Sequence, residues 1–193
     1  MIGLDHLLFL LALLLPAVLV FRDEEWQPVE RLPQALWNVL TVVTLFTIAH
    51  SITLSLAALE ILRLPERLIE SLIAASIAIA GIANFIAAPR KKMWVVIVGF
   101  GLLHGLGFAN VLAPYGVQPS NIVVTLLAFN IGVEIGQVIF VVLCFPALYV
   151  LRTSRFYVPV VLHGGSALLI LIALYWFAKR AFLLDLSVSG FLA

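Results

Sequence analysis

Charge is scarce in this sequence: of 193 residues, only 11 are lysine or arginine and 10 are aspartate or glutamate. With a net charge of +1 and no basic run longer than Arg90-Lys91-Lys92, the chain lacks the electrostatic footprint of a nucleic-acid binder. Cysteine is scarcer still. Cys144 is alone, which excludes both an internal disulfide and a thiolate cluster for metal, and leaves it a role in helix packing. Long polar stretches are also missing, since no loop between apolar runs exceeds about a dozen residues, and this excludes a soluble domain. What fills the chain is hydrocarbon. Apolar residues make up 64% of it and its mean hydropathy is +1.19, well outside the range of soluble domains. The sequence reads as an integral membrane protein.

Crossing about 30 Å of hydrocarbon takes about 20 helical residues, and six runs meet that length: 3–21, 35–59, 68–88, 93–115, 121–151 and 156–182. The expected fold is all-α, a compact bundle of about six transmembrane helices forming a single transmembrane domain over 1–193. Prolines and charges punctuate the connections, as in Arg22-Asp23-Glu24-Glu25, Arg63-Leu64-Pro65-Glu66-Arg67, Pro89-Arg90-Lys91-Lys92 and Pro114-Tyr115-Gly116. Arg22, Arg31, Arg90, Lys91, Lys92, Arg152 and Arg155 fall on one side of such a bundle and outnumber Arg63, Arg67, Lys179 and Arg180 on the other. The positive-inside rule then places both termini outside, in the periplasm of a bacterial inner membrane. The first run has no basic leader or small-residue cleavage site, and Asp5-His6 is foreign to a secretory signal, so it reads as a retained helix. The chain opens abruptly, two residues before Gly3-Leu4-Asp5-His6, which leaves room for an upstream segment.

The polar residues inside these runs form a pattern. All four histidines are intramembrane: His6 beside Asp5, His50 beside Ser51, His104, and His163. Asn130, Glu134 and Gln137 are spaced i, i+4, i+7 within a fifth apolar run, one stripe of a helix that must face protein or water. An acidic residue at the centre of a membrane helix costs roughly 2.5–3.5 kcal/mol. A divalent cation beside Glu134 offsets that cost, and imidazoles with a carboxylate suit nickel, zinc, copper, cobalt or iron. Asn130 and Gln137 are placed to orient such ligands, and Ser51 and His163 to extend the path. Glycines at 101/105 and 132/136 provide small-xxx-small seams for close helix approach.

Gly-Leu-Asp-His-Leu-Leu-Phe (3–9), Phe-Thr-Ile-Ala-His-Ser-Ile-Thr-Leu (46–54), Phe-Gly-Leu-Leu-His-Gly-Leu-Gly-Phe-Ala (100–109) and Phe-Asn-Ile-Gly-Val-Glu-Ile-Gly-Gln (129–137) together resemble the successive motifs of the HupE/UreJ family. The resemblance spans nearly the whole chain. It implies a hydrogenase or urease accessory membrane protein of the nickel-permease type, in which Asp5 and His6 correspond to the family's Asp-His pair and His50, His104 and Glu134 to its other polar motif positions. The family's histidine-proline element before Gly-x-Asp-His has no counterpart within this sequence.

Asn38, Asn84, Asn110 and Ser166 read as interhelical hydrogen-bond glue, Glu70 as a snorkelling end residue, and Trp26, Trp37, Trp94 and Trp176 as interfacial anchors. Five groups on four helices, Asp5, His6, His50, His104 and Glu134, exceed what packing requires. The leading reading is a permease, with a metal ion and membrane lipids as partners: the ion enters at Asp5 and His6, loses water to His50, His104 and Glu134, and leaves past His163. An intramembrane metal-dependent hydrolase, with Glu134 or Asp5 as general base, is the alternative from another class. A metal-binding accessory subunit for metalloenzyme maturation is a third. No internal repeat of the transporter kind is visible, so a homo-oligomer remains open.

Overall fold

The computed structural model describes residues 2–62, 64–86, 90–112 and 122–182. The expected span ends at 87–88 and 113–115, the start at 121, the loop around Pro114-Tyr115-Gly116, Arg63 and the side chain of Asn110 lie outside the described residues. Within them run six α-helices: α1 Ile2–Leu14, α2 Leu32–Ala58, α3 Glu66–Phe85, α4 Arg90–Leu112, α5 Ile122–Leu151 and α6 Gly165–Phe182. A π-helical stretch, Tyr157–Gly164, leads directly into α6. The fold is all-α apart from one small hairpin. Three helical stretches, Leu32–Ala58, Val123–Leu151 and Tyr157–Phe182, are long and apolar enough to cross a membrane.

The first run departs from the expected helix over 3–21. Pro16 has no N–H to give the carbonyl four residues back, and its ring crowds that carbonyl. Helix α1 therefore stops at Leu14 and tightens into a 3₁₀ turn, Leu15–Val18, with Pro16 near its start. Leu19–Arg22 (β1) and Glu25–Pro28 (β2) then pair antiparallel, Phe21 opposite Trp26. Asp23 and Glu24 make the turn, both at positive φ, a conformation Asp tolerates better than most residues.

Unwinding a helix in a buried interior frees carbonyls that need other donors. Here side chains from elsewhere satisfy them. Asn84 of α3 donates to Ala12 O, the carbonyl that Pro16 abandons, at 3.0 Å. Tyr157 Oη donates to Leu15 O at 2.9 Å, and Asn38 of α2 donates to Ala17 O at 2.8 Å. Asn84 also donates to Ser166 Oγ of α6 at 2.9 Å. Asn38, Asn84 and Ser166 thus make the interhelical bonds expected of them, and the break in α1 is what two of these amides serve.

The helices pack most extensively as two pairs, α2 with α4 and α3 with α6. Glycine sets both approaches. A Cβ at Gly101 would meet Phe46 O and Ala49 Cβ, each at 2.9 Å, and one at Gly105 would collide with His50 O and Thr53 Oγ1. Gly81 is crowded likewise by Ile170. The 101/105 seam is therefore a close helix contact. The 132/136 seam is not one among the described residues, where a Cβ at either glycine meets nothing within 4 Å. Helix α5 touches α1 and α2 along a narrow strip, and its remaining surface, including Val124, Leu127, Ile135 and Leu143, is exposed.

Candidate metal centre

The histidines of the first, second and fourth helices meet. Ring centroids of His6 and His50 are 6.0 Å apart, as are those of His6 and His104. All three are buried, at 5%, 1% and 0% exposure. Phenylalanines wall them in: Phe46 lies 4.9 Å from His6 and 5.3 Å from His104, and Phe9 lies 4.8 Å from His104. Each of these histidines has its phenylalanine three or four positions away on its own helix, Phe9, Phe46 and Phe100. That spacing puts ring and imidazole on one face.

His104 shows the donor chemistry most clearly. Its Nδ1 lies 2.9 Å from Phe100 O, one turn back on α4, and a carbonyl only accepts. Nδ1 therefore holds the proton and Nε2 keeps its lone pair. That Nε2 is buried and has no hydrogen-bond partner among the described residues. A bare imidazole nitrogen in an aromatic enclosure matches what a late transition metal binds.

His6 is held from α5. Gln137 accepts from Thr47 Oγ1 at 2.9 Å through Oε1 and, through Nε2, stands 2.7 Å from His6 Nε2, to which it donates. One turn of α2 further on, Ser51 donates to Asn130 Oδ1 at 2.8 Å. These two side-chain bridges tie α2 to α5 beside the cluster. A relay of this kind fixes ring orientation around a ligand set.

The remaining candidates go elsewhere. The Asp5 carboxylate is 1% exposed and faces Arg180 of α6, whose Nη2 donates to both its oxygens, at 2.9 and 3.1 Å. Arg180 also donates to Glu70 O and lies over the Trp176 ring. Glu134 is exposed on α5 and does not join the histidines, contrary to the expected convergence of all five groups on one cavity. The reason is angular: at about 100° per residue, Asn130 and Gln137 differ by only about 20°, whereas Glu134 stands about 40° beyond Asn130 and 60° from Gln137. His163 sits apart, in the π-helical stretch, stacked on Phe85 with centroids 4.9 Å apart.

Thr47 and Arg180 are participants that sequence reasoning left out of the site. Thr47 precedes Ser51 by one turn on the same face, and Arg180 had been counted only as a topological charge. Among the described residues no three His, Cys, Asp or Glu side chains stand ready around a common ion position. Centroids of imidazoles sharing one ion at near-tetrahedral or octahedral angles lie about 4.5–5 Å apart, given metal–nitrogen bonds of about 2 Å. His6 thus stands about 1 Å too far from each of the other two rings.

A membrane protein of helices, with three imidazoles and their hydrogen-bond relay drawn inward from lipid, is the class that fold and cluster define. The chain belongs to the HupE / UreJ protein family, which it matches over residues 1–180. That membership gives it a metal-related accessory or transport role, and the family is linked to nickel handling in general. No curated protein and no solved structure matches the chain.

Proposed function

We propose that this protein carries a divalent transition-metal ion of the nickel type across the membrane, with His6, His50 and His104 as the transient ligands. The observation that carries the reading is the buried, unpartnered Nε2 of His104, whose other nitrogen is already committed to Phe100 O. An unsatisfied polar nitrogen in a low-dielectric interior is unfavourable, and binding an ion relieves it.

Two of the candidate ligands are held by protein donors. Gln137 N–H sits on the Nε2 lone pair of His6, and the Arg180 guanidinium sits on Asp5. An ion arriving from the Asp5 side displaces Arg180 from the carboxylate and then the amide from His6. Drawing His6 about 1 Å closer to His50 and His104 lets the imidazoles share the ion. On release the donors return to Asp5 and His6, so neither that buried carboxylate nor that imidazole is left bare, while Nε2 of His104 is again open to the next ion. Further travel past His163, six membrane crossings, and both termini in the periplasm of a bacterial inner membrane belong to the same proposal, the last two supported by the run lengths and the loop cations.

A hydrolase reading needs a free carboxylate beside the ion to accept a proton from its water. Asp5 is occupied by Arg180 and Glu134 is exposed on α5, so nothing favours that reading over transport. The test is flux of nickel, cobalt, zinc, copper and iron into sealed vesicles containing only this protein. Uptake of at least one ion is expected, falling at least about tenfold in His104→Ala, since a lost ligand costs more than the 10–100-fold of a lost outer-shell partner. No flux of any of them, together with a bound ion that does not exchange, would transfer the assignment to an accessory or catalytic role.

A further inference from the structure

Arg180 serves two helices besides its own. Its Nη2 donates to both oxygens of Asp5 on α1, at 2.9 and 3.1 Å, while its Nη1 donates to the backbone carbonyl of Glu70 on α3, at 3.3 Å. The Arg180 side chain is 9% exposed and that of Asp5 1%, whereas Glu70 is half-buried. The Glu70 carboxylate lies close enough to Asp5 for their charges to repel, yet it forms no ion pair among the described residues. Arg67, three residues earlier on α3, is committed to Ala181 O through Nε and Nη2 and does not take it. Two carboxylates therefore share one guanidinium.

This arrangement bears on the displacement of Arg180 by an arriving ion. A guanidinium driven off Asp5 with nowhere to go is a buried charge without a partner, and that penalty opposes entry. Glu70 removes the penalty. It stands on the helix that packs most extensively against α6, and the guanidinium already touches its backbone through a nitrogen that Asp5 does not use. Arginine carries five N–H donors in a planar fork on a long stem, so it exchanges one carboxylate for another by side-chain rotation, without moving a helix.

We infer that Glu70 is a positioning residue for the metal site: its carboxylate receives Arg180 when an ion takes Asp5, and gives it back on release. This role rests on the reading of the histidine cluster as a transport site. At rest the pair of carboxylates is short of one cation, and the incoming ion supplies it. Asp5 then lies beneath the ion and Glu70 beneath Arg180, each with its own counter-charge.

Denaturant unfolding of the full chain in detergent, without metal, tests the reception itself. Glu70→Gln in the otherwise unaltered protein should change the unfolding equilibrium by less than about threefold, because Glu70 holds no ion pair at rest. In an Asp5→Asn background Arg180 has only Glu70 to turn to, so the same Glu70→Gln should raise the unfolding equilibrium at least about tenfold by stranding a buried guanidinium. Equal effects in the two backgrounds would overturn the inference. Nickel uptake into sealed vesicles reads the consequence for transport: Glu70→Gln should lower it at least about tenfold, since Arg180 then leaves Asp5 without a receiving carboxylate, and Glu70→Asp, which keeps the charge, should restore most of it. Uptake unchanged in Glu70→Gln, or lost equally in Glu70→Asp, would overturn the positioning role. No nickel uptake by the unaltered protein would reject the transport reading and that role with it, whereas the unfolding measurements would still show whether Glu70 receives Arg180.

Discussion

Gln137 of α5 stands 2.7 Å from His6 of α1 through its amide nitrogen, while its oxygen receives the hydroxyl of Thr47 on α2. Three helices are thereby joined at one side chain, and the imidazole nitrogen that an ion would use is the one the amide holds. Removing the amide frees that lone pair but also releases the ring. The first effect is worth a net hydrogen bond of about 0.5–1.5 kcal/mol, the second about 10–100-fold in metal affinity. Orientation wins, so Gln137→Leu is expected to weaken nickel binding by about tenfold, measured by titration calorimetry on the purified protein. Tighter binding would show that the amide acts mainly as a competitor.

Asp5 and Arg180 form a pair that is 1% and 9% exposed and links α1 to α6. Such a pair contributes little as a whole, yet breaking it by removing one partner costs about 3–5 kcal/mol because the other charge stays buried. Arg180→Met is therefore expected to lower unfolding stability by about that amount. Asp5→Asn combined with Arg180→Met should recover most of the loss. Denaturant unfolding in detergent reads both, and equal instability of the single and double variants would show that Arg180 acts through packing on Trp176 instead.

Asn84 serves the carbonyl that Pro16 leaves open and also bonds Ser166. Asn84→Leu keeps the volume but removes both bonds, leaving Ala12 O buried without a donor, which costs about 1–3 kcal/mol. The expected result is a lower thermal midpoint with the cluster of His6, His50 and His104 intact. An unchanged midpoint would mean that another group reaches Ala12 O.

Two glycines separate a seam from an open face. Gly105→Ala forces its methyl against His50 O and Thr53 Oγ1, so a loss of about 1–3 kcal/mol is expected from overpacking. Gly132→Ala meets nothing among the described residues and should be neutral or slightly stabilising through helix propensity. If Gly132→Ala proves as damaging in detergent as Gly105→Ala, its face is covered in the assembled protein, and cross-linking between copies would be the next measurement.

The helices were legible because apolar runs of membrane length leave the backbone few alternatives. The end of the first was not, although Pro16 was in plain view, because prolines are tolerated inside membrane helices when neighbours re-satisfy the backbone. Only the structure shows that Asn84, Asn38 and Tyr157 do so around a break. His6, His50 and His104 were found as polar anomalies in hydrocarbon, and their phenylalanines at three or four positions offered a further signal. Glu134 stood out for the same reason, yet the helical stripe it shares with Asn130 and Gln137 is wider than the buried strip of α5. A rotation of about 40–60° decides which side of that strip faces the protein, and no single sequence records it. Arg180 escaped notice because a cation in the last turn of a helix is ordinarily a surface group.

The mended break in α1 also bears on how the polypeptide is made. Leu15 O is capped by Tyr157, 142 residues later, and Ala12 O by Asn84, 72 residues later. While the chain emerges from the ribosome, its first segment is therefore made long before the donors to Ala12 O and Leu15 O exist. Under the proposed six-crossing topology, it is expected to stay in a wetter setting, at the translocon or the lipid headgroups, until those later side chains arrive. Protease protection of progressively longer nascent chains would report this as late burial of the first segment, an order of assembly opposite to the order of synthesis.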